Sequence, residues 1–289
     1  MGELKYYKPT TLKEAENLLI ENGSDSKILN GGTFVVSQLK LNNRFEKPTA
    51  LVDIKGIKEL KQITFSKEEG IYIGATMTIS EIAHHKDVVE NYAVLADELE
   101  SVGSGQIRNR VTLVGNNCTV SPFADTTTPL LVLDAVFEVY SKGEFIDIPV
   151  NDFYRGFRKN ALSHSDIVTG IKIPCYKNLE GVFTKIGRRK EFDLSTISAT
   201  VAKVNGEYKI GLQTVAPTPI RAKQTEEYLK DIDLKNKNID LEIAELAGEI
   251  AKNECSPVDD LRGSKEYRLQ MVKVAVKRSL IELCDLEVK

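Results

Sequence analysis

In the first part of the chain, a stretch with apolar residues at helical spacing is followed by short apolar runs. Thr11 and Glu14 form a capping-box pattern at the start of this stretch, and Gly23 ends it. The runs at 28–29 and 50–54 predict strands, with a second helix beginning after the glycines that follow the first run. This order of strand, helix and strand indicates a small α/β unit.

The middle of the chain mixes both periodicities, and its elements end at glycine and proline clusters. Helices are predicted at 79–85 and 92–102, strands at 70–75, 146–150 and 167–173, and a helix passing into a strand after Pro129. In the last part, strands come first, at 183–186, 194–204 and 208–215, and helices follow at 224–229, 241–252 and 264–283. Strands followed by helices predict an α+β fold, not a doubly wound sheet.

Composition and charge narrow the function classes. With 289 residues, 42% of them hydrophobic and 28% charged, the chain resembles an ordinary globular protein with a sizeable core. A net charge of −3 gives no electrostatic footprint for nucleic acid. No apolar run approaches the roughly 20 residues of a membrane span, and the start lacks a signal-peptide pattern. We therefore expect a cytoplasmic protein that binds neither nucleic acid nor membrane.

Several familiar motifs are absent. The cysteines Cys118, Cys175, Cys255 and Cys284 form no CxxC pair, so local spacing builds no metal site. There is no Walker A motif, and the glycine pattern at 103–108 follows a predicted helix where a Rossmann site would follow a strand. No candidate nucleophile, acid or base stands out. This pattern is typical of a protein whose ligand carries the chemistry.

Two glycine-rich segments are candidates for binding an anion. Lys27–Phe34 (KILNGGTF) is a short apolar run followed by Asn-Gly-Gly-Thr, and Arg108–Asp125 combines an Arg, a Gly-Asn-Asn turn and hydroxyl side chains. Backbone N–H groups of such turns can converge on a phosphate, and a helix N-terminus after the glycines favours one too. Two such segments suggest one long ligand with two phosphates. Glycine turns are also ordinary connections, so the residues alone leave both interpretations open.

Five stretches in order resemble the FAD-binding (middle) subunit of the xanthine dehydrogenase and CO dehydrogenase type of molybdenum hydroxylase. They are LNGGT at 29–33, YIGATMTISEI at 72–82, GSGQIRNRVTLVGNNCTVSPFAD at 103–125, FTKIGRRKEFDLSTIS at 183–198 and DLRGSKEYR at 260–268. The third is the most specific, and together they cover essentially the whole chain.

The resemblance implies a fold of the vanillyl-alcohol-oxidase or PCMH FAD-binding type. It implies a small α/β subdomain (1–55), a larger α+β subdomain (56–175) and a C-terminal domain (176–289) like that of the CO dehydrogenase flavoprotein, with three strands plus helices. FAD would lie between the first two subdomains. No catalytic residue and no metal ligand are implied, since the flavin carries the chemistry.

Carried over residue by residue, the resemblance predicts a cofactor site made of both segments and of two positions beyond them. The diphosphate would lie on the first segment and on the start of the second, and Lys185 would reach the cofactor from the third domain. The predicted residues are Lys27, Ile28, Leu29, Asn30, Gly31, Gly32, Thr33, Phe34, Thr112, Val114, Gly115, Asn116, Thr119, Ser121, Asp125, Ile167 and Lys185. For Lys185 with Arg188 and Arg189, a solvated run of charges is the alternative, and for 260–263 we expect a purely structural turn.

Two positions depart from the family pattern. The family usually has Gly-Gly where this chain has Val114 and Gly115. Because a β-branched residue disfavours positive φ, we expect ordinary strand dihedral angles at Val114. The family also commonly has an acidic residue at the position of Phe34, which is tolerable if that position binds through its backbone N–H.

The function implied is electron transfer within a heterotrimeric complex. This chain would take electrons from the [2Fe–2S] clusters of a small partner subunit and pass them to NAD(P)⁺ or another acceptor. A molybdopterin-containing large subunit would hydroxylate the substrate. The alternatives are a free-standing FAD-dependent oxidoreductase of the same fold and a non-catalytic adenine-nucleotide-binding scaffold. The hydroxylated substrate and the acceptor do not follow from this sequence.

Overall fold

The computed structural model describes residues 4–40, 47–189, 192–232, 234 and 237–284, with side chains of 237–240 excepted. The chain start considered above and residues 190 and 191 of the fourth family stretch lie outside them. Within this part of the chain, no helix is both long enough and apolar enough to cross a bilayer.

The first three strands form a parallel sheet with the order β1-β3-β2. Its elements are β1 Lys5–Tyr7, α1 Leu12–Asn22, β2 Ser26–Leu29, α2 Thr33–Lys40 and β3 Ala50–Asp53. Thr11 caps α1 by accepting from the N–H of Glu14, while the Glu14 carboxylate accepts from the N–H of Thr10. The predicted strands and helices are present. Strand β1 was not predicted, because three residues are too few to show an alternation.

A five-stranded antiparallel sheet, with the order β4-β5-β10-β6-β7, forms the middle of the molecule. Its strands are β4 Ile63–Ser66, β5 Gly70–Gly74, β6 Val136–Ser141, β7 Glu144–Pro149 and β10 Ile167–Ile173, and β8 Tyr154–Gly156 pairs separately with β9 Lys159–Asn160. The helices are α3 Ile79–Ala83, α4 Lys86–Asn91, α5 Ala93–Glu100, α6 Gly105–Arg108, α7 Leu113–Cys118, α8 Thr128–Val132 and α9 Val150–Phe153.

The last part has an antiparallel sheet in the order β11-β12-β13-β14. The elements are β11 Leu179–Ile186, β12 Ile197–Val204, β13 Glu207–Gln213, β14 Ile220–Arg221, α10 Lys223–Leu229, α11 Lys237–Asn253 and α12 Lys265–Leu283. The prediction of three strands is therefore short by one. Strand β14 has two residues just after a Pro-Thr-Pro run, so its sequence reads as a turn.

Strand β12 divides the buried interior into two hydrophobic cores. Its residues Ile197, Ala199 and Val201 belong to the core beneath the C-terminal helices, whereas Ala202 and Val204 belong to the core of the first two sheets. Because side chains alternate along a strand, one face of this sheet lies against the helices and the other against the rest of the molecule. The architecture is α+β, as predicted.

Candidate functional site

A cavity of 530 Å³ lies where the two glycine-rich segments meet. The predicted residues that line it are Lys27, Ile28, Asn30, Gly31, Gly32, Thr33, Phe34, Thr112, Val114, Gly115, Asn116, Thr119 and Ser121. These residues are far apart in sequence. The fold thus brings most of the predicted site into one concave surface.

The first loop, residues 30–34, connects β2 to α2 and depends on both of its glycines. Gly32 has φ +77°, a conformation that side chains disfavour. A Cβ on Gly31 would lie 2.0 Å from the backbone carbonyl oxygen of Arg110. That separation is too short for any side chain, so Gly31 is required for the first loop to touch the segment before α7.

Helix α2 begins at Thr33, directly after these glycines. The first N–H groups of a helix have no intrahelical partner, and the helix dipole makes that end favourable for negative charge. Thr33 and Phe34 line the cavity at this end, together with Lys27 of β2. The Phe34 side chain is partly exposed. The apolar residue at the family's acidic position is therefore accommodated at the edge of the cavity.

Asn30 has one buried oxygen that lacks a partner. Its Nδ2 donates to the backbone carbonyl of Ala75 at 2.7 Å, and its backbone carbonyl accepts from Lys55 Nζ at 3.1 Å. Its Oδ1 is buried and has no hydrogen-bond partner among the described residues. A buried acceptor without a donor is costly. Since Asn30 lines the cavity, a ligand hydroxyl or N–H group fits there.

Within the second segment, Arg108–Asp125, residues 113–118 form a helix where the sequence predicted a turn. Thr112 caps α7 by accepting from the N–H of Gly115 at 3.1 Å. The N–H of Gly115 is thus already used, and a Cβ on Gly115 would approach Thr112 Oγ1 to 2.6 Å. Val114 is helical and buried in the core, so the expectation of strand dihedral angles there is wrong. Its branched side chain is compatible because a helix needs no positive φ.

The two asparagines of the second segment face opposite ways. Asn116 lines the cavity, whereas Asn117 is fully buried and makes four hydrogen bonds. Asn117 Nδ2 donates to the Leu113 carbonyl and to Thr126 Oγ1, and its Oδ1 accepts from Thr127 Oγ1 at 3.0 Å and from the Tyr154 hydroxyl at 2.6 Å. Burial raises the pKa of Tyr154, which keeps this hydroxyl protonated. Both asparagines are helical, and neither has a positive φ.

After α7 the chain turns through a run of hydroxyl side chains. Thr119 Oγ1 donates to the carbonyl of Asn116 at 2.7 Å and accepts from the N–H of Ser121 at 3.3 Å. Ser121 Oγ in turn accepts from the N–H of Phe123. Between them Val120 has φ +44°, which is strained for a β-branched residue. The hydrogen bonds on either side hold this conformation next to the cavity.

Four predicted residues do not line the cavity. Leu29 is half-buried beside the first loop, and Ile167 is fully buried in the core. The neighbours of Ile167, Asp166 and Val168, do line the cavity, because alternate positions of an extended chain face opposite sides. Ile167 itself therefore faces the core and not the cavity.

The other two, Asp125 and Lys185, pair with each other. Lys185 Nζ lies 2.6 Å from Asp125 Oδ2 and also donates to the carbonyl of Ser101. The second oxygen of Asp125 accepts from the hydroxyl of Ser195. Both side chains of the pair are largely buried, which excludes the alternative that Lys185 belongs to a solvated charge run. The pair joins β11 to the end of the second segment.

Glu98 is a buried acid that the sequence analysis missed. It is fully buried on α5 and accepts from the hydroxyls of Thr128 and Thr200. Burial raises the pKa of this carboxyl well above its ordinary value, although the hydrogen bonds from the two hydroxyls act in the opposite direction. Its sequence, within a polar run of a helix, resembles that of an exposed residue. Its partners lie on α8 and β12, so its burial depends on elements that are distant in sequence.

Part of the cavity wall was not predicted from the sequence. Most of these residues are apolar and give no signal of ligand binding: Val35, Gln38, Ile54, Val111, Cys118, Phe123, Ala124, Leu162, Asp166, Val168 and Leu194. Burial raises the pKa of the Cys118 thiol to about 12, so this cysteine is not a thiolate at neutral pH. Phe123 and Ala124 lie within the quoted third family stretch and could have been inferred from it.

A larger cavity of 840 Å³ lies elsewhere, over the outer face of the five-stranded sheet. It is lined by strand side chains such as Tyr72, Glu138 and Lys172. Lys172 there is already paired with Glu138 and Asp147 at 2.9 Å. Cavity volume alone therefore does not identify the candidate functional site. The smaller one combines a helix N-terminus, close-packed glycines and an unpartnered buried acceptor.

These features fit the FAD that the family resemblance predicts. The first loop and the start of α2 present backbone N–H groups that suit a diphosphate. The unpartnered oxygen of Asn30 suits a hydroxyl or ring N–H donor. Apolar side chains of Leu162, Val168 and Leu194 provide walls for flat rings.

Comparisons with known proteins agree along the whole chain. The family described as FAD binding domain in molybdopterin dehydrogenase matches residues 2–176, and the CO dehydrogenase flavoprotein C-terminal domain matches residues 183–283. The xanthine dehydrogenase FAD-binding subunit of Escherichia coli O157:H7 is 30% identical over 284 residues, or 96% of this chain and 94% of that protein. The nicotinate dehydrogenase FAD-subunit of Eubacterium barkeri is 30% identical over 299 residues, or 99% and 97%.

Solved structures give the same result for the fold. A chain of the carbon monoxide dehydrogenase from Hydrogenophaga pseudoflava superposes with a TM-score of 0.90 at 27% identity. The match covers 97% of each chain. The arrangement of both domains is therefore shared with that structure.

Proposed function

Because this chain belongs to the family of FAD-binding subunits of molybdenum hydroxylase-type dehydrogenases, we propose that its cofactor site is the cavity between the first loop and the second segment. FAD is the cofactor, and the chain is a subunit of an oxidoreductase. The observation that carries the proposal is the contact of Gly31 with the Arg110 carbonyl, which brings the two segments together without an intervening side chain.

Each part of the cavity has a distinct role in this proposal. The N-terminus of α2 and the first loop hold the diphosphate through backbone N–H groups. Asn30 Oδ1 accepts from a hydroxyl or N–H group of the cofactor, and the hydroxyls of Thr119 and Ser121 line the opposite wall. Asp125 and Lys185 fix the end of the second segment by pairing with each other. When bound, FAD supplies a redox centre that exchanges electrons singly or in pairs.

The proposed role of the chain is electron relay inside a larger complex. It takes electrons from [2Fe–2S] clusters of a small partner subunit and passes them to NAD(P)⁺ or another acceptor. A molybdopterin-containing large subunit carries out the hydroxylation. Relatives named as FAD subunits and medium chains support this division of labour. The cavity presents no ionised thiol that could act as a nucleophile, since Cys118 is protonated.

The test is to express this chain alone, load it with FAD and assay the two half-reactions separately. We expect NADH or NADPH to reduce an artificial acceptor, because that half-reaction needs only the cofactor and an accessible ring. We expect no hydroxylation of purine, nicotinate or CO until both partner subunits are added. Substrate turnover by the chain alone would contradict the relay and would favour a free-standing oxidoreductase.

A further inference from the structure

The turn at 260–263 fixes the orientation of the Arg262 side chain. Asp260 Oδ1 accepts from the backbone N–H of Arg262 at 2.7 Å, and Asp260 Oδ2 accepts from Arg262 NH1 at 3.1 Å. The backbones of Asp260 and Gly263 also form a bridge. The predicted structural turn is present, but its hydrogen bonds also direct the Arg262 side chain.

Arg268 fastens this turn to the C-terminal sheet. Its side chain is 2% exposed, and its NH2 lies 2.5 Å from Asp260 Oδ1. Its NH1 donates to the carbonyls of Thr196 and Thr214, each at 3.0 Å. Two arginines therefore share one carboxylate, and one of them is anchored in the interior. Arg262 is thus attached to the body of the C-terminal domain.

The guanidinium of Arg262 lies over the ring of Phe123, 4.1 Å from the ring centroid. Phe123 lines the candidate cofactor cavity, whereas Arg262 does not. A planar guanidinium can stack on an aromatic ring in a way that an ammonium group cannot. Such contacts strengthen when they are partly removed from water, and the Arg262 side chain is 24% exposed.

We propose that Arg262 is a positioning residue for the cofactor site. Through its stack on Phe123 it fixes an aromatic part of the cavity wall, so the C-terminal domain supports FAD binding through this ring as well as through Leu194. The inference rests on the proposed cofactor site. It assigns a purpose to the DLRG turn beyond holding the chain ahead of α12.

The experiment measures the dissociation constant for FAD in the full chain, from the quenching of flavin fluorescence. The variants are Arg262→Met, Arg262→Lys, Phe123→Leu and the double variant of Arg262→Met with Phe123→Leu. Arg158→Met is the matched control, because Arg158 lies over the ring of Phe157 at 5.5 Å and neither residue lines the cavity. Thermal unfolding of each apo variant is measured in parallel.

We expect Arg262→Met to weaken FAD binding about fivefold, as the loss of a partly buried cation–π contact predicts. Arg262→Lys should recover part of this loss. In the Phe123→Leu background, Arg262→Met should have no further effect, because the arginine acts through the ring. A purely structural role would lower the unfolding temperature without this dependence on Phe123.

Three results would overturn the inference: an unchanged dissociation constant in Arg262→Met, an equal loss in Arg158→Met, or additive losses in the double variant. If Arg262→Met does not fold, the same cycle with Arg262→Lys decides. A wild-type chain that binds no FAD would defeat the proposed site itself. If the wild-type chain binds FAD and the variants bind it with the same dissociation constant, only the role of Arg262 is contradicted.

Discussion

The first loop and the second segment have similar glycine- and asparagine-rich sequences but shape the cavity in different ways. The first loop relies on the backbone, with Gly32 at positive φ and Gly31 against the Arg110 carbonyl. The second segment is a capped helix held from behind by the buried side chain of Asn117. One wall is thus sensitive to an added methyl group, and the other to the loss of a hydrogen-bonding side chain.

The largest effect is expected at the first loop. In Gly31→Ala the new methyl group would overlap the Arg110 carbonyl, so the two segments must separate. We expect a loss on the order of a hundredfold in FAD affinity, since more than one backbone hydrogen bond to the diphosphate would be displaced. Titration with FAD measures this loss. Gly105→Ala is the control, because a Cβ there meets nothing within 4 Å. Equal affinities in both variants would contradict the contact.

The second segment should lose stability when its buried asparagine is replaced. Asn117→Leu has similar volume but leaves the Tyr154 hydroxyl without its acceptor, and leaves Thr127 Oγ1 with only the Ala124 carbonyl at 3.3 Å. We expect the free energy of unfolding to fall by about 2–4 kcal/mol, measured by urea denaturation. Asn109→Leu, at an exposed position, should change it by less than about 0.5 kcal/mol. Equal losses in the two variants would show that Asn117 does not support the helix.

A smaller effect is expected at Gly115. In Gly115→Ala the methyl group meets Thr112 Oγ1, a side-chain atom that can rotate away at the cost of the helix cap. We expect a loss of about 1 kcal/mol in the free energy of unfolding. Adding Thr112→Ala should cost nothing more than Thr112→Ala alone, because the cap is already gone. If the two losses add, the methyl group acts on something other than the cap.

The smallest expected effect is a difference between the two walls in how their contribution to stability depends on pH. Asp53 lies beneath the first loop and, although burial alone would raise its pKa, hydrogen bonds from Lys55 and Tyr6 hold that pKa below the ordinary value. A depressed folded-state pKa stabilises the protein above the unfolded-state pKa, and this stability is lost as pH falls through the folded-state value. The unfolding temperatures of wild type and Asp53→Asn should therefore converge on acidification from about pH 5 downward.

The corresponding comparison for the second segment uses Asn117→Leu. Its hydrogen-bond partners are neutral, so its difference from wild type should stay constant over the same acidic range. A pH-dependent difference for Asn117→Leu, or a constant one for Asp53→Asn, would contradict the assignment of charged support to the first loop and of neutral support to α7.

Sequence patterns were sufficient where a local motif determines the backbone. The Asn-Gly-Gly-Thr run before α2 identified the first loop, and the family stretch at 103–125 identified the opposite wall. The same patterns failed for the conformation of 113–118, because Gly-Asn-Asn favours a turn in isolation. Burial of Leu113 and Val114 with the Thr112 cap favours the helix instead.

Contacts between distant elements were beyond the sequence. Nothing local indicates that Glu98 is buried, since its burial depends on β12, which is about one hundred residues further along the chain. The pairing of Lys185 with Asp125, in place of a direct position on the cavity wall, likewise depends on how the C-terminal sheet packs. Ile167 faces the core while its neighbours line the cavity, because the phase of strand alternation is a feature that a sequence pattern locates only to within a residue or two.

The most direct test is a crystal structure of the chain saturated with FAD. We expect cofactor density in the cavity between the first loop and the second segment. The diphosphate should lie against residues 31–33, and Asn30 Oδ1 should accept from a cofactor donor. Density in the 840 Å³ cavity over the outer face of the five-stranded sheet, or a cofactor that does not touch the first loop, would contradict it.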